Sequence, residues 1–358
     1  MEKSPYEVLA KRLDEIPNGY PPTENGVEIR ILEKLFTVEE AKLVSRLRLT
    51  PEKVQEIAER LDLAVREVTS VLKGLAKKGL INIEVERGRL AFSLMPFVVG
   101  FYERLFNSID TELAALIEDY FQQTFRESFK DKITVHRVIP VDETVRNDMA
   151  VYPFESATEI LNSGASWGVV DCICRKQKSL IGEGCEHPLD VCMLIQSNQN
   201  AFENVPGVKV LTIEEAKTTL KRAADAGLVH SVSNNQKGLW YICNCCTCSC
   251  GILQRMADLG VANVVARSAF INQVDEDLCI ACGECESRCQ FGAIEIDDFA
   301  VIDNVRCTGC GVCISACPID AMVLVRRPDE EVLSIPETEM DWMEERAQNR
   351  GIDIKNVL

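Results

Sequence analysis

All 17 cysteines of this 358-residue chain lie in two stretches, 172–250 and 279–317. Thiolates crowded like this repel one another, so the fold must neutralise them with a cation or cluster, cross-link them, or exchange bonds among them. The densest stretch, ICNCCTCSC at 242–250, holds Cys243, Cys245, Cys246, Cys248 and Cys250. The N-terminal stretch MEKSPYEVLAKRLDEIPNGYPP has no basic start followed by an apolar core and small-residue cleavage site, so a cytoplasmic chain is expected. Thiols stay reduced there, which weighs against disulfides and towards metal. The apolar stretch LAFSLMPFVVGFY (90–102) is interrupted by Pro96 and too short to cross a bilayer, so it reads as buried core and no membrane span is expected.

The strongest pattern is C-terminal. CIACGECESRC supplies Cys279, Cys282, Cys285 and Cys289, and CTGCGVCISACP supplies Cys307, Cys310, Cys313 and Cys317. Both are spaced C-x2-C-x2-C-x3-C, in an internal repeat offset by 28 residues. A structural zinc pair would more usually show C-x2-C twice with a long separation. Residues 271–326 resemble the bacterial two-cluster [4Fe–4S] ferredoxins. The resemblance implies Cys279, Cys282, Cys285 and Cys317 on one cluster, and Cys307, Cys310, Cys313 and Cys289 on the other. It also implies that Gly283 and Gly311 leave room where the loops press on inorganic sulfide. Pro318 follows the second run, whereas Gln290 stands where a proline is expected after Cys289.

Nine cysteines remain: Cys172, Cys174, Cys185 and Cys192, then the five of the nonapeptide. CICRKQKSLIGEGC and CNCCTCSC together resemble a cysteine-rich module that accompanies dicluster ferredoxin domains in redox proteins of anaerobes. Nine thiols suffice for two more [4Fe–4S] clusters with one left over, or for one cluster plus a less regular centre. C-x-C in an extended segment puts both sulfurs on one face, which suits a shared metal. One or two further Fe–S clusters are expected ahead of zinc, and both ahead of thiol exchange. Arg175, next to Cys174, is a candidate to offset cluster charge or meet an anionic ligand. His230 is a candidate iron ligand or proton carrier, against the commoner fate of a hydrogen-bonded strand residue.

The expected class is α+β multidomain, with a winged-helix-like N-terminal domain, a small α/β cysteine-rich domain and a C-terminal dicluster ferredoxin-like domain. TPEKVQEIAERLDL (50–63) reads as a helix with Thr50 as N-cap and Pro51 at its first position. A second helix over 64–79, stopped by Gly79, precedes a hairpin over 80–94, and this order resembles a winged helix-turn-helix. The expected organisation is a lead (1–26), the winged-helix-like domain (27–96), a helical connector (97–150), the cysteine-rich module (151–268), the ferredoxin-like domain (269–328) and an acidic tail (329–358). Within the module, SWGVVDCIC (166–174) reads as a strand that could belong to a small βαβ unit, delivering Cys172 and Cys174 at its end. Residues 212–242 echo the first helix and hairpin as a second wing-like unit.

The formal net charge of −17 disfavours nucleic acid overall and suits docking on a basic patch of a redox partner. No G-x-G-x-x-G after a strand, P-loop, H-E-x-x-H or nucleophile elbow is present, so flavin and nicotinamide sites are unsupported. The leading expectation is electron transfer between a low-potential donor and a partner oxidoreductase, as a component of an oxidoreductase system rather than a stand-alone enzyme. One alternative is a redox-sensing transcriptional regulator. Residues 30–95 carry 13 Lys/Arg against 10 Asp/Glu, a balance of +3, and Arg66, Lys73, Lys77 and Lys78 sit on the second helix. The winged-helix region could also pair two copies as a homodimer. Another alternative is a catalytic upstream cluster.

Overall fold

The computed structural model describes residues 3–86, 88–128, 133–259 and 265–358. They form two units, one of Met1–Glu127 with Met343–Leu358 and one of Ser128–Trp342.

The first unit opens with helix α1 (Pro5–Asp14), where Ser4 and Glu7 close a capping box and Pro5 takes the first turn. Helices α2 (Val27–Leu35) and α3 (Val38–Val44) follow, the latter boxed by Thr37 and Glu40. Then come β1 (Glu52–Lys53), α4 (Val54–Leu61), α5 (Val65–Lys78), β2 (Asn82–Glu86) and β3 (Arg89–Ser93). The three strands pair antiparallel in the order β1-β3-β2. Gly79, at φ +78°, ends α5 in a conformation that favours glycine. Helix α4 begins later than Thr50 and Pro51 suggest. Glu52 and Lys53 are drawn into pairing with Phe92 and Ala91, and Lys53 becomes the N-cap, its N–H donating to Glu56.

The stretch 90–102 is core: Phe92, Leu94, Met95, Phe97, Phe101 and Tyr102 are all buried. Phe97 packs edge-on against Tyr20 and Tyr120, the latter on α6 (Thr111–Ser128). Residues 1–26 therefore do more than lead in, since Leu9, Leu13, Ile16 and Tyr20 are buried.

In the second unit, β4 (His136–Val138), α7 (Ala157–Asn162), β5 (Ser166–Asp171), α8 (Ile173–Leu180), β6 (Asp190–Gln196), β7 (Lys209–Leu211), α9 (Ile213–Asp225), β8 (Val229–Ser233) and β9 (Tyr241–Cys245) build a six-stranded sheet with helices. Its order is β4-β8-β9-β6-β5-β7, and every named pair is antiparallel. The strand expected ahead of Cys172 is present, but its neighbours β6 and β7 run antiparallel to it, so it is no part of a βαβ unit. The hairpin β8–β9, expected as a second wing, instead lies inside this sheet because both its edges are paired. Since β4 belongs to the sheet, the unit starts well before residue 151.

After α10 (Gly251–Leu259) the chain forms two antiparallel pairs. β10 (Phe270–Val274) pairs with β13 (Met322–Arg326), and β11 (Ile294–Ile296) pairs with β12 (Ala300–Ile302), with α11 (Glu284–Arg288) between β10 and β11. The region expected as an acidic tail is structured and carries α12 (Glu339–Asn349). Trp342 is buried with its indole N–H on the Thr134 carbonyl, and Arg346 reaches the Pro17 carbonyl at 2.8 Å.

Candidate metal centres

The loop between β10 and α11 turns through Ala281 (φ +51°) and Gly283 (φ +81°) and so wraps Cys279, Cys282 and Cys285 round one space. That space is a cavity otherwise lined mainly by apolar residues, Ile280, Ile296, Ile319 and Met322 among them, and its fourth thiol is Cys317 from the distant run. Burial pushes Cys313 well up and Cys310 to about 12, and the thiolates of Cys307 and Cys289 add to both. Cys289 packs on the same apolar core as Cys307 and Cys310.

Backbone amides are aimed at these sulfurs, Ala321 N–H to Cys317 Sγ at 3.3 Å and Ala300 N–H to Cys279 Sγ at 3.4 Å. Asn272 Nδ2 donates to Cys313 Sγ at 3.3 Å. Such donors stabilise negative charge on sulfur and raise a cluster's potential. The expected role of Gly311 shifts: a Cβ there would lie 2.1 Å from Thr144 Oγ1, so its smallness makes room for a side chain of the neighbouring loop.

Six of the nine upstream thiols form a ring. β5 delivers Cys172 as the N-cap of α8, and Cys174 lies in the first turn of that helix. Cys192 sits on β6 opposite Val170. Cys243 and Cys245 alternate along β9, and Cys250 immediately precedes α10. The thiols of Cys174 and Cys192 donate towards Cys172 and hold it well below the usual thiol range. Cys174 and Cys245 do the same for Cys250. The donors Cys174, Cys192 and Cys245 are correspondingly pushed well up. Cys172 and Cys250 are thus the sulfurs most ready to carry negative charge, and metal binding at this ring would displace protons from its other thiols.

The other three, Cys185, Cys246 and Cys248, gather separately with His187, all four donor atoms lying within 4.8 Å of one another. His187 is a fourth donor that the cysteine pattern alone does not announce. Its available signal was the C-x-H spacing of Cys185-Glu186-His187.

Arg175 is buried between the two groups. Burial works against its charge, but the neighbouring sulfurs of Cys172, Cys192 and Cys246, Cys172 foremost, outweigh that and raise its pKa. Nη1 donates to the Asn244 carbonyl at 3.0 Å and approaches Cys246 Sγ at 3.7 Å, while Nε and Nη2 find no acceptor among the described residues. His230 is buried with its Nδ1 against Asn244 Oδ1, and burial lowers its pKa. Asn244 also donates to the Val191 carbonyl, so His230 belongs to a polar contact beneath β9.

The cysteine-rich sheet and the dicluster segment share a core that includes Cys245, Cys250, Phe291 and Val312, with Cys289, Cys307 and Cys310 packed on it. Gln290 joins them directly. It accepts from the Thr247 N–H at 2.7 Å and donates to the Gly227 carbonyl.

Residues 278–321 match the family model described as a 4Fe-4S dicluster domain. This segment is an iron–sulfur, ferredoxin-like domain. No curated protein matches the chain, and no solved structure does. Among the described residues no helix is long and apolar enough to cross a membrane. The dicluster domain carries an electron-transfer role in general terms, for cubanes exchange single electrons with little rearrangement.

Proposed function

We propose that the protein relays single electrons between a low-potential donor and a partner oxidoreductase in anaerobic metabolism, with a further Fe–S cluster in the six-thiol ring in series with two [4Fe–4S] clusters. The ligand sets are Cys279, Cys282, Cys285 and Cys317 for one cubane, and Cys289, Cys307, Cys310 and Cys313 for the other. The observation that carries the reading is the shared core, in which Cys245 and Cys250 of the ring and Cys289, Cys307 and Cys310 pack on the same apolar residues. Packing on one core favours the short separations that direct electron exchange requires. Arg175 offsets charge at the ring, where the nearby sulfurs of Cys172 and Cys192 favour its cationic form. The acidic surface guides docking to a basic partner.

The test is anaerobic iron counting with a redox titration followed by electron paramagnetic resonance. Full-length protein should hold about eight iron atoms for the two cubanes and additional iron for the ring. A Cys282→Ser change should alter one ferredoxin signal and leave the ring's signal in place. Loss of every signal at once, or colourless protein, would refute the reading.

The first unit favours a second reading. The order helix, strand, helix, helix and hairpin supports a winged helix, and Arg66, Lys73, Lys77 and Lys78 are exposed on α5. Lys78 is engaged by Glu40, which leaves three of these cations for DNA. Retardation of promoter DNA that is lost on cluster oxidation would favour a redox-sensing regulator.

A further inference from the structure

We propose that Cys185, His187, Cys246 and Cys248 bind a single tetrahedral zinc ion, separate from every iron–sulfur cluster of the chain. Zinc–sulfur bonds of about 2.3 Å and zinc–nitrogen bonds of about 2.0–2.1 Å give a tetrahedron with edges of about 3.8 Å between sulfurs and about 3.6 Å between sulfur and nitrogen. Cys185 Sγ lies 3.9 Å from Cys246 Sγ, and Cys248 Sγ lies 3.6 Å from His187 Nδ1. All four donors fall within 4.8 Å of one another. A cubane hands each thiolate to a different iron and so spreads its ligands wider than one ion does. Among the described residues this is the one group of metal-ligating side chains gathered so tightly.

The chemistry of the donors agrees with the geometry. Three cysteines and a histidine are a structural zinc set, and zinc outcompetes ferrous iron at such a site. The ligands come as two short arms, Cys185-Glu186-His187 from the loop between α8 and β6 and Cys246-Thr247-Cys248 from the loop after β9. Each arm places two donors one residue apart, and neither can complete a tetrahedron alone. Donors outside the shell support the sulfurs: Ser249 Oγ lies 3.4 Å from Cys185 Sγ, and Arg175 Nη1 is near Cys246 Sγ. Zinc with three thiolates carries one net negative charge, which the guanidinium balances.

This ion would not carry electrons. It would staple the 246–250 loop, which presents Cys250 to the six-thiol ring and Thr247 to Gln290. The inference stands apart from the electron-transfer reading, because zinc binding here requires no iron elsewhere.

The experiment uses full-length protein purified without oxygen, with zinc and iron counted per chain and the zinc shell read by X-ray absorption. The expected result is one zinc per chain with three sulfurs and one nitrogen at the bond lengths above. His187→Ala should weaken zinc retention against a chelator by at least about 10–100-fold. His187→Cys should restore retention with an all-sulfur shell. The ferredoxin resonances, unchanged in both variants, report that the chain is still folded. Zinc absent from the wild type, a zinc shell without sulfur, or a His187→Ala protein that loses iron and keeps zinc would overturn the proposal.

Discussion

Replacing Gln290 with alanine tests whether the cysteine-rich loop and the dicluster domain are held together as the hydrogen bonds indicate. The wild-type amide accepts from the Thr247 N–H at 2.7 Å and donates to the Gly227 carbonyl, and both contacts are partly buried. Each bond contributes about 1 kcal/mol net, and a partly buried group left without a partner costs somewhat more. The Thr247 amide should therefore become easier to expose by about 1–2 kcal/mol, an acceleration of local exchange of about tenfold. Hydrogen–deuterium exchange of the reduced, metal-loaded protein reads this directly. The Ala321 amide, which donates to Cys317 Sγ away from this contact, serves as the internal control. Gln290→Glu should keep the Thr247 bond but set a carboxylate against the Gly227 carbonyl, protecting Thr247 while loosening Gly227. Equal exchange at Thr247 in wild type and Gln290→Ala would refute the clamp. Faster exchange at Thr247 and Ala321 alike would instead mean that the domain as a whole had been weakened.

Arg175→Met should make the cluster proposed for the six-thiol ring harder to reduce, since it removes a buried positive charge. At an effective dielectric constant of about 20 and a few ångströms this is worth a few kcal/mol, a fall on the order of 100 mV in a redox titration, and an unchanged potential would contradict the placement. Gly309→Ala should destabilise the chain by about 3 kcal/mol or more, because its φ is +69° and the added Cβ would lie 2.0 Å from the Phe270 carbonyl oxygen. Denaturant titration under anaerobic conditions checks it, with Gly182→Ala, where a Cβ meets nothing within 4 Å, as the control for backbone conformation. Burial lowers the pKa of His136 to about 4 from an ordinary value of 6.5. The unfolded chain therefore takes up this proton first as the pH falls. The stability is fully present above about pH 6.5 and is lost towards pH 4, up to about 3 kcal/mol in all. His136→Gln should flatten the loss between pH 7 and 5, and an undiminished slope would assign it to other groups.

The cysteine spacings made the dicluster segment readable in the sequence because the ligand pattern is local. Three thiols of each run lie within seven residues, and the loop's own backbone brings them together. Helix signals were legible where caps act locally, as at Thr212 and Glu215, which close a capping box at α9. At Thr50 the same signals misplaced a helix start, because pairing with a strand nearly forty residues away won over local capping. The two wing-like patterns look alike as text. One ends in a three-stranded sheet and the other enters the middle of a six-stranded one, since the strands available on either side differ.

The sequence by itself determined that the chain must gather thiols and that its C-terminal repeat forms a ferredoxin-like iron–sulfur domain. Only the tertiary structure decided how the remaining nine sort into a ring of six and a group of three joined by His187. Those ligands arrive from separate strands and loops, and which of them meet depends on strand order. The same holds for Gln290. Beside Cys289 it reads as a missing proline, and only its contacts with Thr247 and Gly227 reveal a joint, because hydrogen-bond partners more than forty residues away leave no mark in local spacing.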